Sequence, residues 1–182
     1  LMRVPWMGPR RLSRRMNTLR VLIIDDNRYL ARLIQLKFLK LDWAVLIESS
    51  AERVLDTLKS YSPDIVLYES AMPGTNGYRV IRSIRSLEPP LKAVPIIVHS
   101  VQSTRGDVIG ALKAGADDYV VKPATIETIL RKILETLKKR GRTIAIGEKG
   151  SALARSLFNE HMSPDERMVA LLDSAQQVKV MS

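Results

Sequence analysis

Between residues 19 and 140 the chain alternates short, nearly continuous apolar runs with longer amphipathic stretches, joined by a few turn residues. That alternation restricts the segment to repeated strand–helix units. Runs at 20–24, 43–47, 65–68, 95–99 and 119–121 are rich in β-branched side chains. Strands apolar on both sides belong in a parallel sheet covered by helices on both faces. The intervening stretches carry helical periodicity. Leu30, Leu33, Ile34, Leu36 and Phe38 mark 28–39, and Val54, Leu55 and Leu58 mark 51–61. Val80, Ile81 and Ile84 mark 78–87, and Val108, Ala111 and Leu112 mark 107–114, which stops at Gly115. Ile129, Ile133, Leu134 and Leu137 mark 126–139. Right-handed crossovers leave few topologies for five such units. The expected fold is an α/β, doubly wound, five-stranded parallel sheet of order 2-1-3-4-5, flavodoxin-like, with a C-terminal helical extension.

A chain of 182 residues accommodates one such domain with extensions rather than two. No apolar run approaches the roughly 20 residues of a membrane span. The chain has no cysteine, which excludes disulfides and thiolate metal sites and fits a reducing compartment, so a cytoplasmic location is expected. The net charge of +10 is unevenly spread. Residues 1–16 hold five arginines and no acid, 17–137 hold 16 basic against 14 acidic groups, and 138–182 hold eight against five. The excess therefore lies mostly at the ends and does not describe a shaped nucleic-acid groove.

In a doubly wound sheet, function sits at the carboxyl ends of the strands, beside the switch point between the first and third. The first strand delivers Asp25 and Asp26 there, the third Glu69, the fourth Ser100 and the fifth Lys122. Each alone reads most simply as a cap or turn residue; their joint placement on one rim carries the functional reading. Crowded carboxylates repel by about 4 kcal/mol per close pair at an effective dielectric near 20. A divalent cation or raised pKa values would relieve this, and magnesium suits a rim of hard oxygen ligands.

The stretches VLIIDDN at 21–27, PDIVLYESAMPGTNGYRVIRSIR at 63–85, VPIIVHS at 94–100 and AGADDYVVKP at 114–123 resemble the response-regulator receiver domains of two-component signalling. With the helices between them the likeness covers about 120 residues. It implies that Asp25 and Asp26 are the acidic metal-site pair and that the Ala71 carbonyl is a backbone metal ligand. It likewise implies that Ser100 is the hydroxyl switch residue, Tyr119 the aromatic switch residue, and Lys122 the phosphate-sensing lysine, followed by a cis peptide at Pro123.

One position departs from the family. The phosphoacceptor aspartate lies three residues before the Met-Pro pair, and Met72 and Pro73 put Glu69 there. The extra methylene displaces the would-be nucleophile by about 1 Å, and in-line attack is sensitive to such a shift. Ordinary acyl-phosphate formation is therefore not expected, and magnesium binding is expected to be weak or absent, with Asp25, Asp26, Glu69 and Ala71 as the candidate ligands. Glu69 reaching toward Lys122 would imitate part of a phosphoryl charge, leaving two readings open: an active-like domain or an inert scaffold. Asp64 enters the third strand at the opposite edge and reads as a solvent-facing turn residue. Tyr119 has a core reading and a switch reading. His99 and His161 are too isolated for a metal site and read as a strand-end and a helix-surface residue.

Residues 1–16 read as a basic leader, flexible or of non-native origin, ahead of a native start at Met16. Residues 17–140 form the receiver domain, and 141–182 a linker and two-helix extension. In that extension 152–161 and 164–178 look helical, TIAI looks like a short strand, and Met168, Leu171, Leu172 and Ala175 form an apolar stripe. The expected function is a non-enzymatic phosphorelay module acting through protein–protein contacts, with a histidine kinase or other signalling protein as partner and a homodimer compatible with the tail. The alternatives are a conventional magnesium-dependent phosphoacceptor using Glu69, or a nucleic-acid-associated regulator working through the basic ends, which no groove-reading motif favours. Enzymes on the same topology fit poorly. A haloacid-dehalogenase-like phosphatase wants Asp-x-Asp where Asn27 stands, and a flavodoxin-like phosphate loop would not be acidic.

Overall fold

In the computed structural model, which describes residues 18–141, strands and helices alternate along the chain. The strands are β1 (Arg20–Ile24), β2 (Ala44–Glu48), β3 (Ile65–Tyr68), β4 (Ile96–Ser100) and β5 (Asp118–Val121). The helices are α1 (Arg28–Leu39), α2 (Val54–Tyr61), α3 (Gly77–Arg85), α4 (Arg105–Ala114) and α5 (Ile126–Lys139). All pairings are parallel, and the order is β2-β1-β3-β4-β5, as expected from the sequence.

The sheet divides the core in two. Val21, Ile23, Leu67 and Ile97 point toward α1 and α5, meeting Ile34, Phe38, Ile129 and Ile133. Leu22, Ile24, Val66 and Val98 point the other way, toward Val54, Leu58, Ile81 and Ala111 of α2, α3 and α4. The central strands are buried along almost their whole length, and each fully buried aliphatic side chain contributes about 1.5–3 kcal/mol.

Several boundaries differ from the sequence reading for local reasons. β2 begins at Ala44 rather than residue 43, because Trp43 belongs to the turn closing α1. Its N–H donates to the Phe38 carbonyl at 3.3 Å, and its ring packs against Phe38 at 5.1 Å between centroids. α4 begins at Arg105, two residues earlier than expected, because Thr104 and Asp107 form a reciprocal capping box. α3 begins at Gly77 behind the Asn76 cap. A Cβ on Gly77 would lie 2.3 Å from the Ser70 carbonyl oxygen, so only glycine allows this approach.

Register brings the functional edge together. Ile24 lies opposite both Glu48 and Tyr68, so β1 and β3 end level with each other. The Glu69 N–H then donates to the Ile24 carbonyl at 2.8 Å, and the Lys122 N–H donates to the Ser100 carbonyl at 2.8 Å. Asp64 lies at the opposite edge, as expected, but is not a simple solvent-facing turn residue: its carboxylate accepts the Arg20 N–H at 2.9 Å. Among the described residues no helix is long and apolar enough to cross a membrane. The basic leader, His161, the expected TIAI strand and the two expected C-terminal helices lie outside the described residues.

Candidate functional site

A cavity of about 510 Å³ opens at the carboxyl edge, lined by Asp25, Asp26, Glu69, Ala71, His99 and Lys122 among others. Each side chain arrives from a different element. Asp25 and Asp26 follow β1, Glu69 and Ala71 follow β3, His99 and Ser100 end β4, and Lys122 follows β5. Lys122 precedes a cis peptide at Pro123.

The contacts form one connected cluster. The Lys122 ammonium donates to Asp25 Oδ2 at 2.6 Å and bridges to Glu69 Oε2 at 2.9 Å. Glu69 Oε1 accepts the Ala71 N–H at 2.7 Å and the Ser100 hydroxyl. Asp25 Oδ1 accepts the Asn27 N–H at 2.9 Å, while the Asn27 side chain caps α1 through the Leu30 N–H. Lys122 thus joins Asp25 to Glu69, Glu69 joins Ser100, and all four are buried or nearly so. Asp26 stands on the exposed rim.

Burial and hydrogen bonding pull the charges in different directions. Burial raises the Asp25 carboxyl above its ordinary range despite the hydrogen bond and charge of Lys122. Burial pushes Glu69 up too, but donors from Lys122, Ser100 and Ala71 together outweigh it and leave the carboxyl below its ordinary range. For Lys122, burial works against the charge, and the hydrogen bonds to Asp25 and Glu69 overcome it and raise the pKa. At neutral pH the centre is a Glu69 carboxylate tied to an ammonium, with Asp25 on the ammonium's other side.

Three neighbours have roles in the site that the sequence does not show. His99 lies at the end of β4, as expected, but faces the interior. It is 2% exposed, its Nε2 is buried without a hydrogen-bond partner, and burial reinforced by the nearby Lys122 charge pushes its pKa down to about 4. A histidine in an otherwise apolar strand was the available signal. Gln102 and Ser70 gave none. The Gln102 N–H donates to Ser100 Oγ at 3.3 Å, its side-chain oxygen accepts the Ser70 hydroxyl at 3.3 Å, and its carbonyl accepts the Tyr119 hydroxyl at 2.8 Å. Tyr119 is thereby held inward, 9% exposed, and Gln102 links it to Ser100.

These contacts bear on whether the residues suit a magnesium ion. Both oxygens of Asp25 and both of Glu69 already accept donors from the protein, and the Lys122 ammonium occupies the position between the two carboxylates. No group of three acidic, histidine or cysteine ligands comes together among the described residues. In this arrangement a magnesium ion ligated by both Asp25 and Glu69 would have to take the place of the Lys122 ammonium between them.

Comparison with known proteins places this geometry in context. Residues 21–134 match the response regulator receiver domain family. The chain is 32% identical over 139 residues to the response regulator ArlR of Staphylococcus saprophyticus, covering 76% of this chain and 61% of that protein. It thus spans about three fifths of the length of that relative. Among solved structures, a two-component response regulator from Clostridium difficile superposes with a TM-score of 0.63 at 19% identity, over 69% of this chain and 100% of that one. The BeF3-activated N-terminal receiver domain of Klebsiella pneumoniae RstA does so with a TM-score of 0.60 at 24% identity, over 65% and 98%. At such identities these two likenesses speak for the fold alone.

Proposed function

Because this chain belongs to the response regulator receiver domain family of two-component signalling, we propose that it is a pseudo-receiver in which Glu69 takes over the role of the phosphorylated acceptor. The observation that carries this reading is the Glu69 carboxylate, which engages the Ser100 hydroxyl and the Lys122 ammonium at once. These are the hydroxyl and the cation expected to meet a phosphoryl group. A carboxylate whose two oxygens are hydrogen-bonded and ion-paired is a poor nucleophile, and its pKa lies below the ordinary range. Ser100 is drawn to Glu69, and Tyr119 is turned inward onto Gln102. That combination supports the active-like reading over the inert one.

In this role Asp25 anchors Lys122, Asp26 and the Ala71 carbonyl remain at the rim, and magnesium binding is weak or absent. The module works without chemistry of its own, through contacts with a histidine kinase or another signalling protein. Residues 17–140 form the receiver unit, with 1–16 and 141–182 as flanking segments, and the location is cytoplasmic.

The test is incubation with magnesium and acetyl phosphate, or with beryllofluoride, followed by intact mass and amide spectra. The wild-type protein should gain no adduct and show no spectral change. Glu69→Asp should recover measurable phosphorylation. Labelling of the unmodified protein at Glu69 would overturn the reading.

A further inference from the structure

The α1 helix carries an apolar stripe that nothing among the described residues covers. Tyr29, Leu33 and Leu36 follow at helical spacing and are 76%, 44% and 44% exposed, while Ala31, Ile34 and Phe38 face the core. Such a stripe on a helix already seated by its other side indicates a surface built to be covered. Its charge is one-sided: α1 holds Arg28, Arg32 and Lys37 and no acid.

The chain itself supplies a fitting partner. Residues 164–178 place Met168, Leu171, Leu172 and Ala175 at i, i+3, i+4 and i+7, beside Asp165, Glu166 and Asp173 against the single Arg167. An acidic amphipathic segment thus complements a basic helix with an apolar stripe. Topology brings the two within reach. α1 and α5 pack on the same face of the sheet, and each begins at the functional edge and returns to the opposite one, so the chain leaves α5 at the edge where α1 ends. The 22 residues from 142 to 163 can extend roughly 70 Å, far beyond the ~18 Å length of a 12-residue helix.

We infer that residues 164–178 dock, within the same chain, along the Tyr29–Leu33–Leu36 stripe of α1. The occupant is this segment rather than a second copy, because a short tether holds it near α1 at a high effective concentration.

The absence of cysteine makes the test direct. In the full chain carrying Leu36→Cys, maleimide labelling should be about tenfold slower than in the same chain with Leu171→Asp and Leu172→Asp added, at every protein concentration. A chain with Leu36→Cys and Leu171→Cys should close a disulfide within one molecule on oxidation, read from the mass of the monomer. Leu36 is a surface position, so circular dichroism of the variants should match the parent. Equal labelling rates would overturn the inference. So would cross-links joining two chains, with protection that fades on dilution, since these assign the stripe to a second copy.

Discussion

The carboxylate at position 69 reaches the Lys122 ammonium and the Ser100 hydroxyl directly. Lys122 in turn is what makes two buried acids tolerable side by side. Replacing it in Lys122→Met strands both carboxylates, and removing one partner of a buried ion cluster costs about 3–5 kcal/mol. Urea denaturation at neutral pH should show that loss, and it should shrink in acid as the stranded carboxyls take up protons. His99 governs a separate part of the acid response. Its folded pKa lies near 4, below the value near 6.5 of an unperturbed histidine. The unfolded chain therefore binds the proton first as pH falls, and stability is lost between about pH 6.5 and 4, by about 3 kcal/mol in all. Glu69, depressed in the folded state, also loses its contribution as pH falls through its folded pKa; Asp25, raised by burial, acts in the opposite sense. His99→Leu removes only the histidine component and the unpartnered Nε2. Its denaturation midpoint should accordingly stay nearly level from pH 6.5 to 4.5 where the parent declines, and parallel slopes in the two proteins would exclude His99 as the source.

At the opposite edge of the sheet one guanidinium fastens several elements. Arg85, at the end of α3, donates to the Gly115 carbonyl at 2.8 Å, to the carbonyls of Lys92 and Val94 at 3.0 and 2.7 Å, and to Asp117 at 3.0 Å. Gly115, which ends α4, has a φ of +114°, and a Cβ there would lie 2.8 Å from Arg85 Cγ. Arg85→Met leaves three carbonyls without this donor and should cost about 3 kcal/mol or more. Gly115→Ala meets both backbone strain and the Arg85 side chain, and should cost about 2 kcal/mol. Both are read as shifts in the urea midpoint at unchanged m-value. The sequence shows Gly115 as a helix stop, but the crowding by Arg85 depends on a contact 30 residues away that no local pattern encodes. The same division runs through the fold. Strand identities and order were legible because an apolar run buried on both faces admits few placements. Trp43 lies outside β2; hydrophobicity alone does not tell a strand start from a packed turn. In the site, the meeting of Asp25, Glu69, Ser100 and Lys122 follows from strand topology. The separation of buried Asp25 from exposed Asp26, and the linking role of Gln102, arise from side-chain packing alone.

Across the whole domain, the sheet separates a core shared by α1 and α5 from one shared by α2, α3 and α4, and the chain of contacts that leaves Glu69 through Ser100 enters the second. It passes from Glu69 to Ser100, from Ser100 to the Gln102 N–H, and from the Gln102 carbonyl to the Tyr119 hydroxyl, with Tyr119 packed in the core of that face. Toward the α1 face Glu69 connects by a separate route, through Lys122 and Asp25 to Asn27, which caps α1. Glu69→Gln tests the asymmetry. The amide keeps the size of the side chain but offers one accepting oxygen where the carboxylate has two, and turns an N–H₂ donor toward Lys122 or Ser100. It cannot hold Ser100, Ala71 and Lys122 together, so the restraint on Gln102 and Tyr119 weakens. The variant should lose about 2 kcal/mol of stability. Amide exchange should quicken from Ser100 through α4 and at Tyr119, while the amides of α1 and α5 keep their protection. Faster exchange spread evenly over both faces would mean that Glu69 supports the fold in general rather than one side of it. Unchanged exchange at Gln102 and Tyr119 would show that their inward arrangement stands without the carboxylate, and the phosphoryl-mimic role of Glu69 would fall with it.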